Sequence, residues 1–149
     1  MRAVVQRVSR AEVRVAGETI GRVERGLCVL VGVGRDDQLA DAETLADKVV
    51  NLRVFEDDAG KMNLDLLTSG GSLLAVSQFT LFGDVRKGRR PSFSEAMEPA
   101  QAQALFEAFC EACRRRGVEV QTGRFRAEMA VELVNDGPVT ILIDTKRVF

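Results

Sequence analysis

The chain has 149 residues, and its 21 Lys and Arg against 22 Asp and Glu leave a formal net charge of −1. That length suits one domain, residues 1–149, with a real hydrophobic core, and so small a net charge argues against nucleic-acid binding by bulk electrostatics, though not by a local patch. The absence of histidine excludes Ser-His and Cys-His dyads, histidine general bases and nearly every ordinary catalytic zinc site.

The N-terminus carries Arg2 and Arg7 without a long apolar stretch or a small-residue cleavage site. No apolar run in the chain approaches the length that spans a bilayer. A cytoplasmic protein with no membrane partner is therefore expected. The first third reads as strands, at Ala3–Val8, Glu12–Val15 and Leu27–Val33, punctuated by Ala16-Gly17-Glu18 and Gly26. Leu27-Cys28-Val29-Leu30-Val31 is apolar on both faces, which predicts a central strand covered from both sides. Gly32-Val33-Gly34 sits where a phosphate loop would, but it lacks a third glycine and a Lys-Ser pair, and Asp36-Asp37 would repel phosphate. It reads as a plain strand-to-helix turn.

A first helix is predicted with Asp36 or Asp37 as its cap and Leu39, Ala42, Ala46, Val49 and Leu52 on one face. A strand follows at Leu73–Phe79, then a basic loop, Arg86-Lys87-Gly88-Arg89-Arg90. Its arginines and lysine are either a solvated surface or a phosphate contact. A second helix opens near Pro99, carries Ala102, Leu105, Phe106, Phe109 and Cys113 as a stripe, and ends at Gly117. Arg114-Arg115-Arg116 at its end complements the helix dipole. Further strands are predicted at Val118–Gln121, Met129–Val134 and Val139–Ile143. Several strands with only two good helices imply a mixed α/β fold, with sheets packed on one another and the helices covering one side.

Cys28, Cys110 and Cys113 are an odd number in a chain with no export signal, which argues against a disulfide framework. Cys110 and Cys113 have CxxC spacing at the wrong end of a helix for a stabilised thiolate. All three read as packing residues, and neither a metal nor a cofactor is expected. Tryptophan and tyrosine are missing too, so stacking on a base falls to phenylalanine or arginine.

Two short runs carry the chemistry. Ser77-Gln78-Phe79-Thr80 closes the apolar Leu73-Leu74-Ala75-Val76, as polar groups at a site mouth do and as groups that merely satisfy a strand end also do. Asn135-Asp136-Gly137-Pro138-Val139-Thr140 lies between the last two predicted strands. It is either a strand-joining turn or a close approach of backbone to ligand, with an X-Pro bond that is free to be cis.

Together these runs resemble the paired SQxT and NxGPVT signatures of the D-aminoacyl-tRNA deacylase family. The likeness begins at Met1-Arg2-Ala3-Val4-Val5-Gln6-Arg7-Val8 and continues through Gly60-Lys61-Met62-Asn63. It then takes in Arg90-Pro91-Ser92-Phe93 and Gln121-Thr122-Gly123-Arg124-Phe125. The resemblance implies a rolled, barrel-like sheet with two helices outside, assembled as a two-fold homodimer. It implies hydrolysis of the ester that joins a D-amino acid or glycine to the 3′ end of tRNA. Ser77, Gln78, Phe79 and Thr80 would form the catalytic segment, with backbone donors polarising the carbonyl and the ribose 2′-hydroxyl helping to activate water. Gly137 and Pro138, through a cis bond, would enter the other subunit's pocket and exclude L-aminoacyl groups. Arg7 would hold that pair, and Phe125, Met129 and Asn135 would help to bind substrate, with core packing as the competing role for the first two.

The residues alone leave two alternatives. One is an esterase with Thr80 as nucleophile, although no base flanks it. The other is a module that holds RNA ends without chemistry.

Overall fold

The computed structural model describes residues 1–149. Its long first strand, β1 (Arg2–Val15), organises everything else. It turns through Ala16 and Gly17, both at positive φ, into β2 (Glu18–Val23) and is then joined by β3 (Gly26–Gly32). The two strands predicted at Ala3–Val8 and Glu12–Val15 are therefore one, and β2 is a strand that the sequence pattern did not reveal. Parallel to β3 runs β6 (Ser72–Ser77), and parallel to β6 runs β7 (Val120–Thr122). A small separate hairpin, β4 (Phe55–Glu56) and β5 (Met62–Leu64), turns at Gly60 with φ +74°.

The sheet order β2-β1-β3-β6-β7, with β8 (Ala130–Asp144) on β1, rolls until its ends nearly meet. A Cβ at Gly21 of β2 would stand 2.4 Å from the Thr122 carbonyl oxygen of β7, so only glycine permits this closure. The result is the mixed α/β, barrel-like fold that was expected. β3 has the predicted central place. Leu27, Val29 and Val31 face the helices, while Cys28 faces the interior of the roll. Leu73 and Ala75 of β6 alternate with Leu74 and Val76 in the same way, the period of two dividing one sheet between two cores.

Both helices lie on one face. Helix α1 (Leu39–Val50) buries Ala42, Leu45, Ala46 and Val49, and α2 (Pro99–Arg115) buries Ala102, Phe106, Phe109 and Cys113. Pro99 opens α2 behind a Glu98 cap, and Gly117, at φ +92°, follows its end as predicted. Leu39, expected on the buried stripe, is exposed, and Leu45 is buried in the stripe instead. Arg115 and Arg116 pair with Glu43 and so tie α2 to α1, a larger role than dipole complement. All three cysteines are buried and unpaired, and desolvation raises their thiols to about 11 for Cys28 and about 12 for Cys110 and Cys113. They pack, as expected. No helix is long and apolar enough to cross a membrane.

The cap of α1 is Gln38, not Asp36 or Asp37. Asp37 is drawn away: its carboxylate accepts from the Met1 ammonium at 2.8 Å and from the Gly34 amide at 2.6 Å, which closes the turn after β3. Around it stands a polar knot. The Met1 amine donates to Thr145 Oγ1, the Thr145 hydroxyl donates to Asp41 Oδ1 at 2.7 Å, and Lys146 Nζ donates to Asp41 Oδ2 at 2.9 Å. Thr145 and Lys146 thus lock the ends of the chain onto α1.

Burial would raise the Asp41 carboxyl. Hydrogen bonds from Lys146, the Gln38 amide and Thr145, with the nearby terminal ammonium, outweigh it and bring the pKa down to about 2. A carboxyl depressed in the fold contributes stability above its unfolded value of about 4, and that contribution is lost as pH falls through about 2. The thermal stability of the native protein should therefore weaken from pH 4 downwards. Asp41→Asn should be less stable at neutral pH and show a shallower decline in the acid range.

Candidate functional site

The predicted Leu73–Phe79 strand stops at Ser77. Gln78 leaves the extended region at ψ 81°, and a short 3-10 helix (Phe79–Phe82) follows. Gly32 makes room for this change, because a Cβ there would stand 3.0 Å from Leu81 Cβ and 3.1 Å from the Gln78 carbonyl oxygen. Arg2 fixes the 3-10 helix from behind. Its guanidinium donates to the Leu81 carbonyl at 3.1 Å, lies 4.4 Å over the Phe82 ring and is itself held by Asp144 at 3.0 Å.

Ser77, Gln78 and Phe79 form one wall of a cavity of about 640 Å³. Phe93, Ala96 and Met97 face them, the start of α2 contributes Pro99 and Ala102, and Phe125, Arg126 and Met129 complete the enclosure. Of the predicted site residues, Ser77, Gln78, Phe79, Phe125 and Met129 therefore meet around one space. Phe125 and Met129 also pack against the core, so their competing packing role is met alongside their place in the wall. Gly123 admits Met129: a Cβ there would stand 2.6 Å from its sulfur.

Phe79 is 56% exposed at the rim, with its ring 5.1 Å from Phe93 in an edge-on contact. Phe93 was not singled out as a site residue, although the Arg90-Pro91-Ser92-Phe93 block contained it. Val33, Met97 and Ala102 left no signal, because an apolar wall residue looks like any core residue in sequence.

Thr80 does not line the cavity. It is exposed, and its hydroxyl partner is the Gln78 side-chain amide, which supplies no base. Glu98 and Arg126 are the ionisable side chains in the wall, and the Glu98 carboxylate is occupied in capping Ala100 and Gln101. Nearby backbone amides offer more. The Gln78 N–H is already spent on the Val31 carbonyl at 2.8 Å. Those of Phe79 and Thr80 open the 3-10 helix, where an N–H has no earlier carbonyl in the helix to meet.

The second predicted run forms a separate place. Met129–Val134 and Val139–Ile143 are not two strands joined by a turn. They belong to the single strand β8, antiparallel to β1, with Asp136-Gly137-Pro138-Val139 left out as a wide bulge where the pairing steps from Gln6↔Thr140 to Val8↔Asn135. The Gly137-Pro138 peptide is cis, and Asp136, Gly137 and Pro138 are exposed.

Arg7, 7% exposed, supports the bulge. Its Nε donates to the Asp136 carbonyl at 2.7 Å and its Nη1 to the Val54 carbonyl at 2.5 Å. The Asn135 side-chain amide closes the base, donating to the carbonyls of Arg7 and Val139, each at 3.1 Å. Within one chain, Arg7, Asn135, Gly137 and Pro138 are gathered together but stand apart from the cavity. From Val131, in the cavity wall, to Gly137 the strand advances about 20 Å.

Comparison with known proteins follows the whole length of the chain. The family described as D-Tyr-tRNA(Tyr) deacylase matches residues 4–144. The D-aminoacyl-tRNA deacylase of Anaeromyxobacter dehalogenans (strain 2CP-C) is 64% identical over 149 residues, covering 100% of both chains. That of Thermosipho africanus (strain TCF52B) is 58% identical over the same span and coverage. A solved structure described as c-Myc DNA Unwinding Element Binding Protein superposes with a TM-score of 0.92 at 43% identity, covering 97% of this chain and 99% of its own. Another, a probable eukaryotic D-amino acid tRNA deacylase, gives 0.84 at 19% identity over 95% and 97%, a likeness of fold.

Replacing Arg7 by methionine keeps the length of the side chain but leaves two carbonyls without their donor. The expected cost is roughly 2–4 kcal/mol in chemical denaturation. Arg7→Lys, which can restore one contact, should fall between this variant and the native protein.

Proposed function

The chain belongs to the D-Tyr-tRNA(Tyr) deacylase family, and from that membership we propose that it hydrolyses the ester between a D-amino acid and the 3′-terminal ribose of tRNA. Water adds to the ester carbonyl, the ribose oxygen leaves with a proton, and free D-amino acid and tRNA result. Glycine, which presents no side chain to either hand, is a second substrate. Charged tRNA circulates in the cytoplasm, and that is where such an editor acts.

The observation that carries this reading is the wall at Ser77-Gln78-Phe79. It combines a confined cavity, uncommitted amides at Phe79 and Thr80, and no acid–base pair. Amides aimed at the carbonyl oxygen stabilise the developing oxyanion without titrating, and removing one such donor typically costs about 10²–10³ in rate. Water then has to be activated from the substrate side, where the ribose 2′-hydroxyl is the available group. Phe79 and Phe93 offer the aromatic faces against which the terminal adenine packs.

Selection for the D-configuration falls to the Gly137-Pro138 bulge of a second copy. The bulge is exposed and cannot reach its own chain's cavity. Strand β8 also shows solvent Val134 and Leu142, the latter 60% exposed. A two-fold pairing that covers this strand would deliver each bulge to the other subunit's cavity. Backbone carbonyls placed beside the α-carbon accept hydrogen there and clash with an L-side chain, so the wrong ester is excluded and any D-side chain is tolerated. Exposure and the missing base both disfavour Thr80 as nucleophile.

Purified protein should hydrolyse D-tyrosyl-tRNA and spare L-tyrosyl-tRNA in parallel assays. Absence of hydrolysis of either ester refutes the deacylase reading, and equal rates refute the gate. Thr80→Ala keeps its backbone amide and should retain activity within about tenfold; a loss on the order of 10⁶-fold in kcat, as when a nucleophile is removed, would make the hydroxyl the attacking group. A Cβ at Gly137 would stand 2.0 Å from the Val139 nitrogen, so Gly137→Ala must displace the bulge. The ratio of D- to L-ester hydrolysis should then fall at least tenfold, while the fold, followed by circular dichroism, persists.

A further inference from the structure

Three clusters concentrate positive charge on this chain, and they differ in whether that charge is spent. Arg114, Arg115 and Arg116 are paired with Glu111 and Glu43. Arg10 and Arg14 are paired with Glu132. Residues 85–90 differ: they hold four cations and no carboxylate, and Lys87, Arg89 and Arg90 take part in no ion pair.

This segment is the exposed tip of a hairpin closed by Asp84 and Ser92, whose backbones exchange hydrogen bonds of 2.8 and 2.9 Å. Asp84 also holds Arg86, at 2.7 Å, which stiffens one arm. The root of the other arm is Phe93, in the cavity wall and against Phe79. Arg89 is three residues from Ser92, a reach of about 10 Å at most. Unspent charge also lies at the cavity itself, where Arg126 is a lining residue and Arg124 lies two residues before it, neither in an ion pair. A chain of net charge −1 thus keeps free cations on two segments that each contribute to the wall of one cavity.

We propose that the 84–92 hairpin is a clamp for the phosphodiester backbone of the tRNA acceptor arm, with Lys87, Arg89 and Arg90 contacting phosphates next to the ester-bearing end. This rests on the deacylase reading of the cavity. The tip, Val85 to Arg90, has no aromatic ring and no side-chain amide, and Gly88, at φ 155°, keeps its centre slim. Such a surface grips charge and position and leaves base identity unread. The clamp explains how a cavity sized for one nucleotide and its amino acid holds a whole tRNA. It also makes the enzyme indifferent to which tRNA carries the D-residue.

The test compares the native protein with the triple variant Lys87→Gln, Arg89→Gln, Arg90→Gln, and with a control, Arg22→Gln, Lys48→Gln, Lys61→Gln, which removes as much charge elsewhere. Binding of uncharged tRNA is measured across salt concentrations. Hydrolysis is measured on D-tyrosyl-tRNA and on 3′-O-D-tyrosyl-adenosine. The hairpin variant should bind tRNA at least tenfold more weakly at physiological salt. The slope of its log affinity against log salt should be smaller by about 2–3. KM for D-tyrosyl-tRNA should rise by a similar factor with kcat kept, while the adenosine ester changes less than twofold. The control should match the native protein. Unaltered tRNA binding and salt slope in the hairpin variant, or equal losses on both esters, would overturn the clamp. If the native protein cleaves neither ester, the deacylase reading falls, and the binding arm still decides whether the hairpin holds RNA.

Discussion

The break in pairing between β1 and β8 at Arg7 is the constraint on which the rest of the molecule depends. Two long antiparallel strands would ordinarily run in register to their ends and bury every backbone group between them. Here the ladder is interrupted, and residues 136–139 are left outside it. Exposed, unpaired backbone would wander if nothing held it. The Arg7 guanidinium and the Asn135 amide take up four carbonyls, those of Asp136, Val54, Arg7 and Val139, and convert a gap in a sheet into a fixed projection. Arg7 can do so because it continues the Ala3 and Val5 face of β1, which looks towards the helix layer and the carbonyl of Val54.

The cavity is built on the opposite principle. Nothing in it is charged for catalysis, and its wall is a strand end, a 3-10 turn and apolar side chains from elements far apart in the chain. Gly32 lets the chain turn over the end of β3, Arg2 pins the turn from behind, and Gly123 lets Met129 in. Each is a matter of space or backbone support, so the functional groups the site offers are mainly main-chain ones. A site of this kind suits chemistry in which the substrate brings its own hydroxyl.

Electrostatics is used sparingly and locally. Many of the arginines are neutralised at once: Arg10 and Arg14 on β1 by Glu12 and Glu132, and those ending α2 by Glu43 and Glu111. The Met1, Asp37, Asp41, Thr145 and Lys146 knot performs the same service for the chain ends. Away from the cavity, the other unpaired cations, Arg25, Lys48, Arg53, Lys61 and Arg147, stand singly in the sequence, whereas Lys87, Arg89 and Arg90 stand together in the hairpin whose root lines the cavity.

Much of this was legible in the residues. The two helices, the covered central strand and the packing role of the cysteines follow from local periodicity and burial chemistry, which a sequence displays directly. The SQFT run marked one wall of the cavity, and the NDGPVT run marked the bulge that stands apart from it. What the sequence could not display was relative placement. A bulge and a turn share the same Asn-Asp-Gly-Pro residues, and only the pairing of β8 with β1 distinguishes them. The cap of α1 moved to Gln38 because Asp37 met an ammonium thirty-six residues away in sequence. Phe93, Met97 and Ala102 became a wall only when α2 and the loop before it closed over β6. The sequence by itself determined the two helices and most of the long extended segments, because those depend on near neighbours. The tertiary structure decided that Thr80 is not among the residues lining the cavity, that the Gln78 backbone amide is spent, and that the Gly-Pro bulge stands apart from the cavity of its own chain. Those outcomes depend on contacts between residues distant in the chain, which no local pattern encodes.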